Sequence, residues 1–379
     1  MTGAVRRSPL TATVLRLLTL LLAALAGLGA AHLFGLRDVE HSSAYFYAAT
    51  ALLAIGLYGS TNGIDVEDVR RHLRIVVLAV TVGVLMKAAL IATVMYLVFP
   101  SPAYVVFAVA VAQIDPLSTA AAMASSRLSE RARNILAAWS SFDDPITMLL
   151  TVYLSAFALG LLGREPESGA LARSGLLSFG TNVLVNLAFA AAVAAVWLLV
   201  RRIRHGTGRL VAEVGLVVAA LAVGVWQFLM LGVALVGLVV RPRIDRVLGK
   251  VVQAAFVIAA LALGVLLVGG VQVWPGVVLG LATFFAQVVV GLLLTRGLTR
   301  KDRTYLAFAQ QNGITAITLT LLLEPDFPGA VAVVAPAILV VNVLHALFTG
   351  LCDRYGDSVA AAVTSRRRPT PAPPTAHGC

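Results

Sequence analysis

Four ionisable side chains lie inside long apolar stretches of this sequence: Lys87, Asp115, Asp143 and Asp144. Carboxylate oxygens are hard ligands, which suit Na⁺, K⁺ or Li⁺ better than a soft metal. A carboxylate removed from water favours its protonated form, whereas a bound cation favours the ionised form. A proton and a metal cation would therefore compete for one buried carboxylate.

The stretches that carry these residues are long enough to cross a membrane. The chain is 59% apolar and 12% charged, whereas a soluble domain has about 25% charged residues. This composition excludes a water-soluble protein. At 1.5 Å per helical residue, Lys87, Asp115 and Asp143 lie roughly 17–18 Å from a span end, near the middle of the hydrocarbon core. A structural ion pair is the alternative for each, but four charges at one depth favour a functional site.

Apolar runs separated by polar or helix-breaking residues predict an all-α polytopic membrane protein with about twelve transmembrane helices. The shortest and least separated pair is the seventh and eighth, around Trp226 and Gln227. The spans are predicted at 14–36, 43–59, 75–99, 103–126, 132–162, 174–200, 210–225, 227–241, 251–269, 273–295, 304–323 and 328–351.

The distribution of basic residues predicts the orientation of these spans. One set of alternate loops and span ends, in which Arg16 is counted, holds 25 of the 29 Lys and Arg residues, and the other set holds three. By the positive-inside rule, both termini are predicted to be cytoplasmic, in the cell inner (plasma) membrane. The net charge of +11 is then explained by contact with membrane lipid, and nucleic acid is not an expected partner. Residues 364–379 are Pro-rich and are predicted to be a disordered tail after a single transmembrane unit, 1–363.

Two spans are predicted to break in their middles. In span 4, Pro116 removes a backbone donor directly after Asp115. In span 11, Gly313 follows the amides Gln310, Gln311 and Asn312. These spans run in opposite directions, and paired breaks in inverted repeats point to the substrate site of a secondary transporter.

Other chemistries find little support in the sequence. The two cysteines, Cys352 and Cys379, cannot form a four-ligand metal site, and a phosphate-binding glycine loop is missing. A nucleophile and a base do not occur together at depth, so an enzyme is not expected. No cofactor is expected either.

The segment from Gln113 to Pro116 resembles the Thr-Asp-Pro break of the monovalent cation:proton antiporter superfamily, which includes the sodium/proton exchangers. Asp143 and Asp144 resemble its Asn-Asp or Asp-Asp pair. Lys301-Asp302 to Asn312-Gly313 is similar to its loop and Gly-x-Arg-Gly break. The hydropathy pattern is similar over essentially the whole chain, and the specific motifs are confined to about 103–160 and 283–323.

The resemblance implies a core of spans 3–5 (75–162) and 10–12 (273–351), which moves against a dimerisation scaffold of spans 1–2 and 7–9, with span 6 as a linker. It implies alternating access in a homodimer that exchanges H⁺ for Na⁺ or K⁺. It also implies the site: Asp144 carries the cation or proton, and Asp143, Asp115, Ser140 and the Ile114 carbonyl support it.

The chain departs from the family pattern at three positions where charged residues are expected, two of them positive. Trp139 stands where electroneutral members have Glu, Gln287 stands where members have Arg or Lys, and Asn312 replaces the Arg of the second break. We hypothesise that Lys87 supplies the missing cation and pairs with Asp143. The supporting polar residues are Gln113, Gln287, Gln311 and Asn312.

Two other functions stay open at this point. A sodium-coupled symporter of an organic anion shares crossed broken helices, and the amides of span 11 could contribute to its solute pocket. A sensor that retains the fold without transport would explain the missing charges. A cation pulse that dissipates a pH gradient separates exchange from symport, and a sensor predicts no effect of Asp144→Asn.

Overall fold

The structure is a computed structural model that describes residues 9–36, 38–64, 77–125, 128–165, 176–202 and 206–366. All regular secondary structure in these ranges is helical, with short 3₁₀ turns at Val39–His41 and Leu267–Gly269 and a π-helical turn at Ala79–Gly83. The α-helices are α1 Pro9–Phe34, α2 Ser43–Asn62, α3 Val84–Val98, α4 Pro102–Ala110, α5 Pro116–Ser125, α6 Glu130–Leu161, α7 Leu176–Val200, α8 Thr207–Gln227, α9 Met230–Val239, α10 Asp245–Leu266, α11 Val273–Leu294, α12 Arg300–Ala307, α13 Ile314–Leu323 and α14 Ala330–Arg366.

These helices agree with a multi-pass membrane protein. In the described part of the chain, eight helices are long and apolar enough to cross a bilayer, and α9 and α13 are shorter apolar helices. The weakly separated pair of predicted spans corresponds to α8 and α9, which meet where Phe228 adopts a left-handed conformation with φ of 54°. The twelve-span count stays a prediction.

The first helix packs closely against α10 because small residues line the contact. A Cβ atom on Gly27 would overlap the backbone of Leu261, and one on Gly264 would overlap the backbone of Ala24. Small residues let two helix backbones approach closely in a membrane. The contact therefore holds α1 and α10 together as a pair.

The remaining helices form two groups around α2 and α11. Helix α2 packs against α8, α9 and α10, whereas α11 packs against α3, α12 and α14. Helix α13 contacts α2 and α10 of the first group and α14 of the second, so one of the broken segments lies where the groups meet. The functional side chains are buried in this region.

The predicted C-terminal boundary needs a correction. Helix α14 continues through Arg366, so the first residues of the predicted tail from 364 are helical. Small helix-forming residues, from Ala360 to Ala362, favour the continuation of α14 to Arg366. Residues 367–379 lie outside the described part of the chain.

Candidate ion-binding site

Both predicted helix breaks are present, and they lie against each other. The first separates α4 from α5 at 111–115, and the second separates α12 from α13 at 308–313. The backbone N–H of Asp115 donates to the carbonyl of Gln311 at 2.8 Å. Each interruption thus supplies a hydrogen-bond partner for the other, which is what unwound backbone at membrane depth requires.

Side-chain amides of the second break satisfy carbonyls of the first. Gln310 Nε2 donates to the carbonyl of Gln113 at 2.7 Å, and Asn312 Nδ2 donates to that of Val111 at 2.9 Å. Asn312, which replaces the arginine of the family motif, therefore stabilises the unwound backbone. The side-chain amide groups of Gln113 are buried and have no hydrogen-bond partner among the described residues.

Asn342 of α14 stabilises the second break, a role that the sequence does not predict. Its Nδ2 donates to the carbonyl of Asn312 at 3.0 Å, and its Oδ1 accepts from the Asn312 N–H at 3.3 Å. The available signal was an amide inside a long apolar helix, a weaker signal than a charge.

Asp115 lies at the start of α5, where Pro116 occupies the first helical position. Its Oδ2 accepts from the Ser118 N–H at 2.7 Å and from the Ser118 hydroxyl at 2.5 Å. This is an N-terminal cap, in which a carboxylate satisfies an otherwise unpaired donor. Gly313 permits the close approach of the second break, because a Cβ atom there would overlap the Asp115 carboxylate.

Arg16 also binds Asp115, although its position near the start of the first span predicts only an orientation signal. Its Nη2 lies 2.8 Å from Asp115 Oδ2. A charge inside the first span could have indicated a partner, but the positive-inside rule assigned it to the membrane surface. The partner is a carboxylate because α1 lies against α5.

Lys87 and Asp143, for which the sequence predicts an ion pair, are within bonding distance. Both side chains are fully buried, and Lys87 Nζ lies 2.8 Å from Asp143 Oδ2. Nζ also donates to Gln287 Oε1 at 3.3 Å, and Oδ2 also accepts from the Ile114 N–H at 2.9 Å. Ile114 therefore enters the site through its N–H toward Asp143, whereas its carbonyl was the predicted ligand.

Asp144 accepts a hydrogen bond from one hydroxyl group. Thr315 of α13 donates to its Oδ2 at 2.9 Å, a contact that the sequence analysis did not predict. Ser140 is fully buried one turn before Asp144, but its hydroxyl bonds Thr119 at 3.1 Å and the Ala137 carbonyl at 3.2 Å. The hydroxyl that contacts Asp144 is therefore that of Thr315, and Ser140 links α6 to α5.

Three carboxylate oxygens in this region have no hydrogen-bond partner among the described residues. They are Oδ1 of Asp115, Asp143 and Asp144, each of them buried, and the Thr147 hydroxyl oxygen is in the same condition. Asp115 lies against Gly313 of the second break, and Asp144 bonds Thr315 two residues further along the chain. Unsatisfied carboxylate oxygens are chemically suited to an alkali cation, while the described residues contain no group of three His, Cys, Asp or Glu side chains arranged to hold a metal ion.

Near the N-terminus of α6, Asp302 links the N-cap residues of two helices. Its Oδ2 accepts from Ser129 Oγ at 2.8 Å and from Thr299 Oγ1 at 3.0 Å, and its Oδ1 accepts from the Ser129 N–H at 3.0 Å. Ser129 caps α6 and Thr299 caps α12. Burial opposes ionisation of Asp302, but the hydrogen bonds from Ser129 and Thr299 outweigh it and lower its pKa below the ordinary value.

Crossed helix interruptions and buried carboxylates in a multi-pass helical protein define the class of secondary ion transporters. The family described as "Sodium/hydrogen exchanger, transmembrane" matches residues 2–352. The chain belongs to this family, and it is a cation:proton antiporter.

Solved structures agree on the fold. The sodium proton antiporter MjNhaP1 from Methanocaldococcus jannaschii at pH 8 superposes with a TM-score of 0.60 at 18% identity, covering 90% of this chain and 96% of that one. An electron-microscopy structure of the same antiporter gives 0.58 at 18% identity, covering 95% and 99%. No curated protein sequence matches the chain.

Proposed function

We propose that the chain exchanges H⁺ for Na⁺ or K⁺ by alternating access, with Asp144 as the group that carries either the proton or the cation. The supporting observation is the pair of unsatisfied Oδ1 atoms on Asp144 and Asp115, which are buried beside two helix breaks. A cation between them would receive oxygen ligands that the protein otherwise leaves unused. Thr315 keeps Asp144 in place through Oδ2 and leaves Oδ1 available.

The exchange follows from the charge of Asp144. With a proton bound, the carboxylate is neutral and can be enclosed by apolar helices at low cost. With a cation bound, the same neutrality is reached by a metal ion. The ionised and empty carboxylate is the unfavourable state for enclosure, which makes exchange obligatory and prevents leakage of either ion.

Lys87 and Asp143 have a different task in this proposal. Their ion pair is internally neutral, and both Lys87 Nζ and the Ile114 N–H are directed at Asp143 Oδ2. Asp143 is thereby less available to a cation than Asp144. We assign it to positioning: it holds the first helix break, through Ile114, against α3.

The proposal also includes the membrane arrangement. The termini face the cytoplasm of the cell inner membrane, and the group around α11 moves relative to the group around α2. The protein works as a homodimer. The close pairing of α1 with α10, neither of which carries a break, supports their assignment to the scaffold.

Proton flux in vesicles tests the assignment of Asp144. Purified protein is reconstituted with a pH-sensitive dye inside, and Na⁺, K⁺ or Li⁺ is added outside. The wild type should dissipate an imposed pH gradient on addition of Na⁺ or K⁺, and Asp144→Asn should not. Asp245→Asn is the matched control, because Asp245 is an exposed aspartate at the start of α10. Equal fluxes in wild type and Asp144→Asn would remove Asp144 from the mechanism.

A further inference from the structure

We propose that Arg16 is a tethered competitor of the transported cation: its guanidinium occupies Asp115, withdraws one negative charge from the site, and thereby sets the cation affinity and release rate. This inference rests on the proposed function, since it assumes that a cation binds at Asp144 and Asp115. It adds a specificity-determining residue on α1, a helix outside the two interruptions.

The proposal rests on the groups that already bind the Asp115 carboxylate. Asp115 Oδ2 accepts from Ser118 and from Arg16 Nη2, which leaves Oδ1 as its free oxygen. An arginine side chain carries a permanent positive charge. Only movement of its side chain can return the full charge of Asp115 to the site.

Arg16 is held from outside the broken helices. Its Cζ lies 4.9 Å from the ring centroid of Phe256 on α10, an arrangement that attracts a cation to the ring face. Since α1 and α10 are packed backbone to backbone at Gly27 and Gly264, the guanidinium approaches Asp115 from a helix pair that contacts α5 and α13 but carries neither break.

The charges of the site show what Arg16 changes. Lys87 neutralises Asp143, and Arg16 neutralises Asp115, so the negative charge of Asp144 is the one left for a cation. Without Arg16, the cation would face two uncompensated carboxylates. Binding would be tighter, and release would be slower.

The Arg16 side chain also has room to move. It is 25% exposed, whereas Asp115 is 1% exposed. A narrow cavity of about 10 Å³ runs beside it and is lined in part by Ser118, Gln311 and Asn312. A space of this size holds about one water molecule. The partly exposed guanidinium can therefore be solvated when it leaves Asp115.

The test is Arg16→Gln in proteoliposomes, with Na⁺ and K⁺ as the probes and the full chain as the protein. The KM for the transported cation should fall about tenfold, at the lower end of what one neighbouring charge does to a carboxylate, and kcat should fall with it. Arg209→Gln is the matched control. It removes another partly buried arginine, paired with Glu213 within α8, and should leave KM unchanged.

An unchanged or increased KM in folded Arg16→Gln protein would overturn the proposal, because a purely structural role changes the amount of active protein and not its KM. If that variant does not fold, Phe256→Leu loosens the guanidinium without removing it. Its KM should fall about threefold, and an unchanged KM would overturn the proposal equally. Failure of the proposed function has a different signature: wild-type protein would show no flux with either cation.

Discussion

Removing Lys87 should destabilise the protein strongly, because it strands a charge in the interior. Both members of the Lys87–Asp143 pair are fully buried and 2.8 Å apart. In Lys87→Met, Asp143 Oδ2 would keep only the Ile114 N–H. Removing one partner of a buried ion pair costs about 3–5 kcal/mol. The double variant Lys87→Met/Asp143→Asn removes both charges and should regain more than half of that loss.

Melting of the purified variants in detergent measures these differences. Lys250→Met is the control, because Lys250 is an exposed lysine on α10 and its loss should change stability by less than about 0.5 kcal/mol. If Lys87→Met melts with the wild type, or if the double variant is as unstable as the sum of its single variants, the two side chains do not function as a compensating pair. Wild-type transport by Lys87→Met would separately remove Lys87 from the mechanism.

Two further substitutions test the surroundings of the site. Gly313→Ala should abolish or strongly reduce proton flux, because its Cβ atom would displace the Asp115 carboxylate. Gly249→Ala is the control, because Gly249 on α10 has open space around it, and it should leave the flux unchanged. Equal fluxes in the two variants would contradict the close approach of the breaks. Asp302→Ala should lower stability by about 2 kcal/mol at neutral pH. Because the folded-state pKa of Asp302 is lowered, its stabilisation is present above about pH 4 and is lost as the pH falls through the folded-state pKa. The melting curves of variant and wild type should therefore converge in acid. A difference in melting that persists in acid would refute this role of the ionised Asp302.

Much of the site could be predicted because charge is so costly in a membrane. Lys87, Asp115 and Asp144 are conspicuous in apolar runs, and equal depth in neighbouring spans was enough to place them together. The breaks could be predicted equally well, because Pro116 and Gly313 disfavour a continuous helix in the middle of a span.

The hydrogen-bond partners could not be predicted in the same way. Arg16 is only two turns into the first helix, where a basic residue satisfies the positive-inside rule equally well. Its contact with Asp115 depends on how α1 crosses α10 and α5, which the pattern of one helix does not specify. Thr315 and Asn342 are uncharged and therefore inconspicuous. Ser140 lies on the predicted face, but the hydroxyl of Thr119 is the nearer partner.

The central claim is that H⁺ and the metal cation compete for Asp144, and one titration tests it. The KM for Na⁺ or K⁺ is measured in proteoliposomes across a pH series, with the maximal rate extrapolated at each pH. Competition predicts that KM increases as the pH falls, approaching tenfold per pH unit in acid, while the maximal rate at saturating cation changes little. A KM that is independent of pH would contradict the account.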